Sequence, residues 1–233
     1  MFPTEIQIVE VGDWAAWAGR ILADLGFRVI HLEPPTGSRS RQGLLGPDPV
    51  RRRWVGAREA FFERGKESVA INWHTPTGLG LAREIVYTAD ILLDGTSNGF
   101  LSLVAAGTEA PPGPPPRVVR ITPYGDFGPY RELYGHDLLV YALSGQLYIS
   151  GQPRQEPVRP PGEQSLVLAG LEAALAALAL IWDESTASAE VSALEALAEM
   201  EHLLGYLSYQ GSVVGRQGSQ HRGAVPGTVY RAR

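Results

Sequence analysis

Five short β-branched or aliphatic runs, most of them separated by stretches of helical character, constrain the fold of this chain more than any other feature. They are IQIVEV (6–11), RVIHLE (28–33), SVAINW (68–73), DILLDG (90–95) and RVVRITP (117–123). Between the first two, AAWAGRILADLG reads as a helix ended by Gly26. Between the third and fourth, TPTGLGLAREIVYTAD reads as a helix with Thr75 as N-cap and Pro76 at its first position. Strands that alternate with helices of about a dozen residues argue for parallel pairing, because a parallel partner needs a crossover of that length. The expected fold class is therefore α/β, a doubly wound, mostly parallel sheet with flanking helices.

Beyond residue 134 the character changes. HDLLVYALSGQLYISG leads into the proline-rich QPRQEPVRPPG, and two alanine-rich helical stretches follow at about 165–182 and 189–209. The expected organisation is an α/β domain over 1–134, a helical continuation of it over 135–209, and a glycine-rich connector over 210–233.

Composition excludes several chemistries. The 233 residues contain no cysteine, so disulfides, thiolate catalysis and cysteine-ligated metals are out. The five histidines (His31, His74, His136, His202, His221) lack the paired spacing of a helix-borne metal site, and no metal is expected. Neither G-x-G-x-x-G nor G-x-x-x-x-G-K-[ST] occurs, and the first βα turn, VGDWAAW, puts a tryptophan where a pyrophosphate would approach. The N-terminal MFPTEIQIVEVG has no signal-peptide pattern, and the apolar run LVLAGLEAALAALALIW is alanine-rich and carries Glu172. A cytoplasmic protein without membrane or nucleic-acid partners is expected, in keeping with a net charge of −5. Local charge is different. Eight basic residues (Arg39, Arg41, Arg51, Arg52, Arg53, Arg58, Arg64, Lys66) face Asp48, Glu59 and Glu63 between 39 and 66, an excess of about five that suits a small polyanion or a solvated loop.

His136 and Asp137 stand side by side in YGHDLLVYALSG. Adjacent residues point about 100° apart on a helix and to opposite faces of a strand, so they cannot share one proton. If either is catalytic, its partner comes from elsewhere in the chain.

Five segments in order carry a family likeness: ILADLGFRVIHLEPPTG, ERGKESVAINWHTPTG, ADILLDGTSNG, ITPYGDFGPYRELYGHDLLVYALSG and LAGLEAALAALALIW. From about residue 6 onward they resemble the N-terminal, Rossmann-like part of the family III CoA-transferases (the CaiB/BaiF group), which includes α-methylacyl-CoA racemases. The resemblance implies a CoA-binding large domain over 1–134, acyl-CoA as substrate, and interlocked homodimers with the active site between large and small domains. The resemblance covers the large domain and finds no match for the small C-terminal one, so a homodimer or a hetero-oligomer with a chain that supplies it is expected.

The resemblance also implies roles for residues. Arg39, Arg41 and Lys66 match basic positions that neutralise CoA phosphates, and His136 matches the acid/base histidine of the racemase branch, with Asp137 beside it. The family's acyl-accepting aspartate falls on Leu166, which cannot attack a thioester; the nearest acid upstream is Glu163, with Gln164 and Ser165 between. The family's EN-[FY]-x-PG element appears as DGTSNG, without the asparagine and aromatic ring. Three readings stay open: an acyl-CoA-binding transferase chain, a catalytically silent partner-binding subunit, and a racemase-like enzyme built on His136.

Overall fold

The structure, a computed structural model, describes residues 5–41, 44–48, 53–96, 99–106, 111–183, 185–199 and 209–219. β1 (Gln7–Val11) and β2 (Arg28–Glu33) flank α1 (Ala16–Asp24). An antiparallel pair, β3 (Leu44–Asp48) and β4 (Arg53–Gly56), precedes the short α2 (Ala57–Phe62) and β5 (Glu67–Ala70). α3 (Pro76–Tyr87), β6 (Ile91–Asp94), α4 (Phe100–Ala105) and β7 (Arg117–Thr122) follow. The chain then runs through α5 (Asp137–Leu143), α6 (Gln146–Ile149) and α7 (Gln164–Trp182) to β8 (Ser188–Ser192) and α8 (Ala193–Glu199).

Six strands form one sheet in the order β5-β2-β1-β6-β7-β8, and every pair is parallel. The chain starts in the middle, winds outward through β2 and β5, then crosses to the other side of β1 and winds outward again. The sense of winding reverses between β1 and β6. Strand residues alternate between two layers. Ile8, Ile91, Leu93 and Val119 pack under α1 and α7, while Val9, Val11 and Leu92 pack with Val86 of α3 and Phe100 of α4.

The five sequence-derived strands are present, and Thr75 caps α3 by accepting the Gly78 N–H at 3.2 Å. The second late helix is different. Residues 188–192 form a strand paired with β7, helix begins only at Ala193, and 200–208 lie outside the described residues. SAEVS has weak intrinsic strand character; the open edge of β7 supplies the partner, and pairing overrides local preference. The β3–β4 pair likewise went unread in a segment dominated by its charges.

Two close approaches fix the layout near the reversal. Gly12 has φ 85°, and a Cβ on Gly95 would lie 2.2 Å from Ala15 N, so the chain leaving β1 passes directly over the end of β6. α7, 19 residues long and apolar enough by composition to cross a membrane, buries Ala169, Ala173 and Ala177 in the core. A Cβ on its Gly170 would sit 2.6 Å from Trp17 Cβ and 3.0 Å from Ala18 N of α1. Gly170→Ala should therefore force the two helices apart and cost about 1–3 kcal/mol, read as a lower urea midpoint at unchanged m-value. An unshifted midpoint would refute this contact.

Candidate functional site

A cavity of about 370 Å³ opens at the C-terminal ends of β1, β2 and β6, where the winding reverses. Its wall includes Asp13 after β1, Arg39 after β2, Thr96 after β6, His136 at the start of α5, and Glu163 and Leu166 at the start of α7. Strands that diverge around a reversal leave a crevice between their loops, which is where doubly wound sheets hold ligands.

The structure gives the adjacent His136 and Asp137 different tasks. His136 is the N-cap of α5, and its Nδ1 accepts the Leu138 N–H at 3.2 Å. With Nδ1 taken up by the backbone, Nε2 is the ring nitrogen left to face a ligand. Asp137 is buried and accepts from Ser165 N (3.1 Å), Ser165 Oγ (2.6 Å) and Arg159 Nη2 (2.9 Å). It ties the start of α5 to the first turn of α7.

The three basic residues separate as well. Arg39 lines the cavity with its side chain 46% exposed. Arg41 is engaged below it, its Nη1 on Glu59 at 2.6 Å and its Nε on Glu33 at 2.7 Å. Burial by itself would raise the Glu33 pKa, but hydrogen bonds from Arg41, Ser68 and the Ser38 N–H outweigh it and bring the carboxyl down to about 2.

Lys66 is further in, its side chain 1% exposed, with Nζ donating to Glu10 Oε1 (2.6 Å), Ala16 O (2.8 Å) and Glu63 Oε2 (2.9 Å). All three of its donors are used, and none is presented to the cavity. The same cluster holds His31, whose Nδ1 lies 2.7 Å from Glu10 Oε1. Burial alone would lower the imidazole pKa; the Glu10 hydrogen bond and the charges of Glu10 and Glu63 raise it above the ordinary value. The ligand atoms of Glu10, His31 and Glu63 lie within 4.8 Å of one another, a spacing that would suit a metal. The Lys66 ammonium already bridges both carboxylates, so the cluster carries its own cation. Room for it comes from Gly19 of α1, where a Cβ would fall 1.5 Å from Glu10 Oε2.

Three more groups stand at the cavity, of which sequence reasoning missed Asp13. Asp13 is pushed up from the usual carboxylate range by burial, with Arg58, Arg39 and His31 opposing. Glu163, 16% exposed at the N-cap of α7, is ion-paired with Arg58 and lies 3.9 Å from Arg39. Leu166, at 5% exposure, is apolar wall. Outside the cavity, Arg58, Phe61, Pro160, Pro161 and Val167 form an open groove of about 830 Å³, and Glu163 borders both spaces.

Comparison with known proteins agrees with this fold. Residues 5–233 match the model of CoA-transferase family III. The human succinyl-CoA:glutarate CoA-transferase is 28% identical over 228 residues, 91% of this chain and 49% of the human protein. The BbsE subunit of the succinyl-CoA:(R)-benzylsuccinate CoA-transferase of Thauera aromatica is 29% identical over 218 residues, 87% of this chain and 53% of that subunit. The crystal structure of a CaiB/BaiF family protein from Brucella suis superimposes with a TM-score of 0.82 at 26% identity, covering 96% of this chain and 62% of that one. The chain thus spans about half the length of these curated relatives.

Two outcomes test the buried charges. Lys66→Ala leaves two carboxylates without their cation and should cost about 3–5 kcal/mol in urea unfolding, with partial recovery on adding Glu10→Gln. Glu33, whose pKa falls from 4.5 to about 2 on folding, contributes stability that is complete above about pH 4.5 and is lost as pH falls toward 2. The stability gap between wild type and Arg41→Gln should therefore be widest near neutral pH and narrow across that acid range. A constant gap would refute the pairing.

Proposed function

The chain belongs to CoA-transferase family III, and from that membership we propose that it binds an acyl-CoA thioester in the cavity and transfers the acyl group through the carboxylate of Glu163. One observation carries this reading: at the start of α7, Glu163 brings a carboxylate to the wall of the cavity, one helical turn before Leu166. In the first half-reaction a Glu163 oxygen attacks the thioester carbonyl carbon. The C–S bond breaks, CoA leaves as the thiolate, and the acyl group remains on Glu163 as a mixed anhydride. The helix N-terminus favours negative charge at this position.

Arg39 is the cation placed to meet a CoA phosphate, since Arg41 and Lys66 are held by carboxylates. The succinyl-CoA-dependent relatives make succinyl-CoA the thioester to try first. A further chain, a second copy or a different subunit, completes the site, as the subunit naming of the Thauera relative supports.

A second reading, a CoA-binding but catalytically silent subunit, is favoured by Leu166 at the aspartate position. Calorimetry with CoA and succinyl-CoA, followed by exchange of labelled CoA into succinyl-CoA, separates the two. We expect micromolar binding, weakened about tenfold by Arg39→Ala, and exchange that Glu163→Gln abolishes without loss of CoA affinity. Binding without exchange by the assembled complex establishes the silent subunit. No binding at millimolar CoA overturns both readings.

A further inference from the structure

The groove outside the cavity has a composition of its own. One side is α2, which presents Arg58, Phe61 and Phe62; the other is the 159–164 loop with Pro160 and Pro161, and Val167 of α7 closes the floor. Phe61 stacks on Trp17 with ring centroids 4.8 Å apart and an interplanar angle of 5°, yet it remains 52% exposed. That is a rigid aromatic platform with one face already supported. Arg58 lies over the Phe62 ring, 5.1 Å from its centroid, so the guanidinium is held beside the apolar surface.

Arg58 pairs with Glu163, and its side chain is still 25% exposed along the groove. A planar guanidinium bordered by rings and prolines is matched by a flat bidentate anion that carries an apolar body. Chloride or inorganic phosphate would leave the rings unused, and a neutral hydrocarbon would leave the guanidinium unused.

We propose that this groove seats the free carboxylic acid that exchanges with the thioester, an acid with an aromatic or branched apolar body whose carboxylate binds Arg58. Glu163 borders both spaces, and Arg58 is its ion-pair partner. An incoming carboxylate competes with Glu163 for the same guanidinium. Acylation of Glu163 removes its charge and vacates the guanidinium, so the acid seats on Arg58 in the second half-reaction. A volume of about 830 Å³ accommodates a body much larger than acetate. This rests on the proposed transferase reading for the identity of the acid as a substrate; the groove's preference for apolar carboxylates does not.

The test is therefore made on the full chain without CoA. Phenylacetate, phenylacetamide and acetate are titrated separately by calorimetry or ligand-detected NMR. Phenylacetate should bind at least tenfold more tightly than either control. Arg58→Gln should remove the advantage over the amide, and Phe61→Ser the advantage over acetate, with both variants keeping the wild-type circular dichroism. If Arg58→Gln fails to fold, Arg58→Lys serves: it keeps the charge but not the fork and should lose most of the preference. Equal binding of acid and amide by the wild type, or phenylacetate affinity untouched by either Arg58 variant, overturns the proposal. Phenylacetate binding in a chain that ignores CoA would sink the transferase reading and leave the groove standing.

Discussion

The edge of the sheet that carries the cavity depends on a buried ion set, Glu10, His31, Glu63 and Lys66. Glu10 and His31 are direct neighbours in the β1–β2 register, and both point into the layer shared with α1 and α7. Two carboxylates removed from water are costly unless opposite charge reaches them. Lys66 arrives from the turn before β5 and also donates to the carbonyl of Ala16 on α1. One ammonium thus binds the central strand, its first helix and the start of the edge strand. Gly19 is what lets α1 lie over this cluster, because any side chain there would occupy the place of the Glu10 carboxylate.

A second anchoring set sits just above it. Glu33, at the end of β2, collects Arg41, Ser68 and the Ser38 N–H, and so folds the EPPTGSRSR segment back over the end of its own strand. Arg39, on the same turn, is left facing the cavity. The surplus of basic residues in this segment is therefore misleading when read as one ligand-binding patch. Arg41 and Lys66 neutralise carboxylates of the framework, and two of the charges, Arg39 and Arg58, reach the neighbourhood of Glu163.

The alternation around the sheet was legible because its central parallel strands, buried on both faces, read as near-continuous apolar runs, and α3 carries its own cap in Thr75. β8 was not legible, since SAEVS becomes a strand only where β7 offers an open edge. The site was legible as segments but not as roles. His136 and Asp137 could be marked as unable to act on one another, yet nothing local says that Ser165 and Arg159 would claim the aspartate. His31 looked isolated in a count of histidines; its partner is 21 positions away and becomes a neighbour only through strand register. Lys66 matched a phosphate-binding position by motif, and its burial follows from Glu63, three residues before it, and from Glu10, which no linear pattern connects to it.

The position of Glu163 changes more than the identity of one residue. Glu163 is the N-cap of α7, and Leu166 lies in its first turn. Leu166 lines only the cavity, whereas Glu163 borders both the cavity and the groove. Leu166, 5% exposed, keeps the first turn of α7 packed. If Glu163 is the nucleophile, as proposed, the thioester carbonyl meets it at the boundary between the two spaces, beside Arg58 and the aromatic surface of α2.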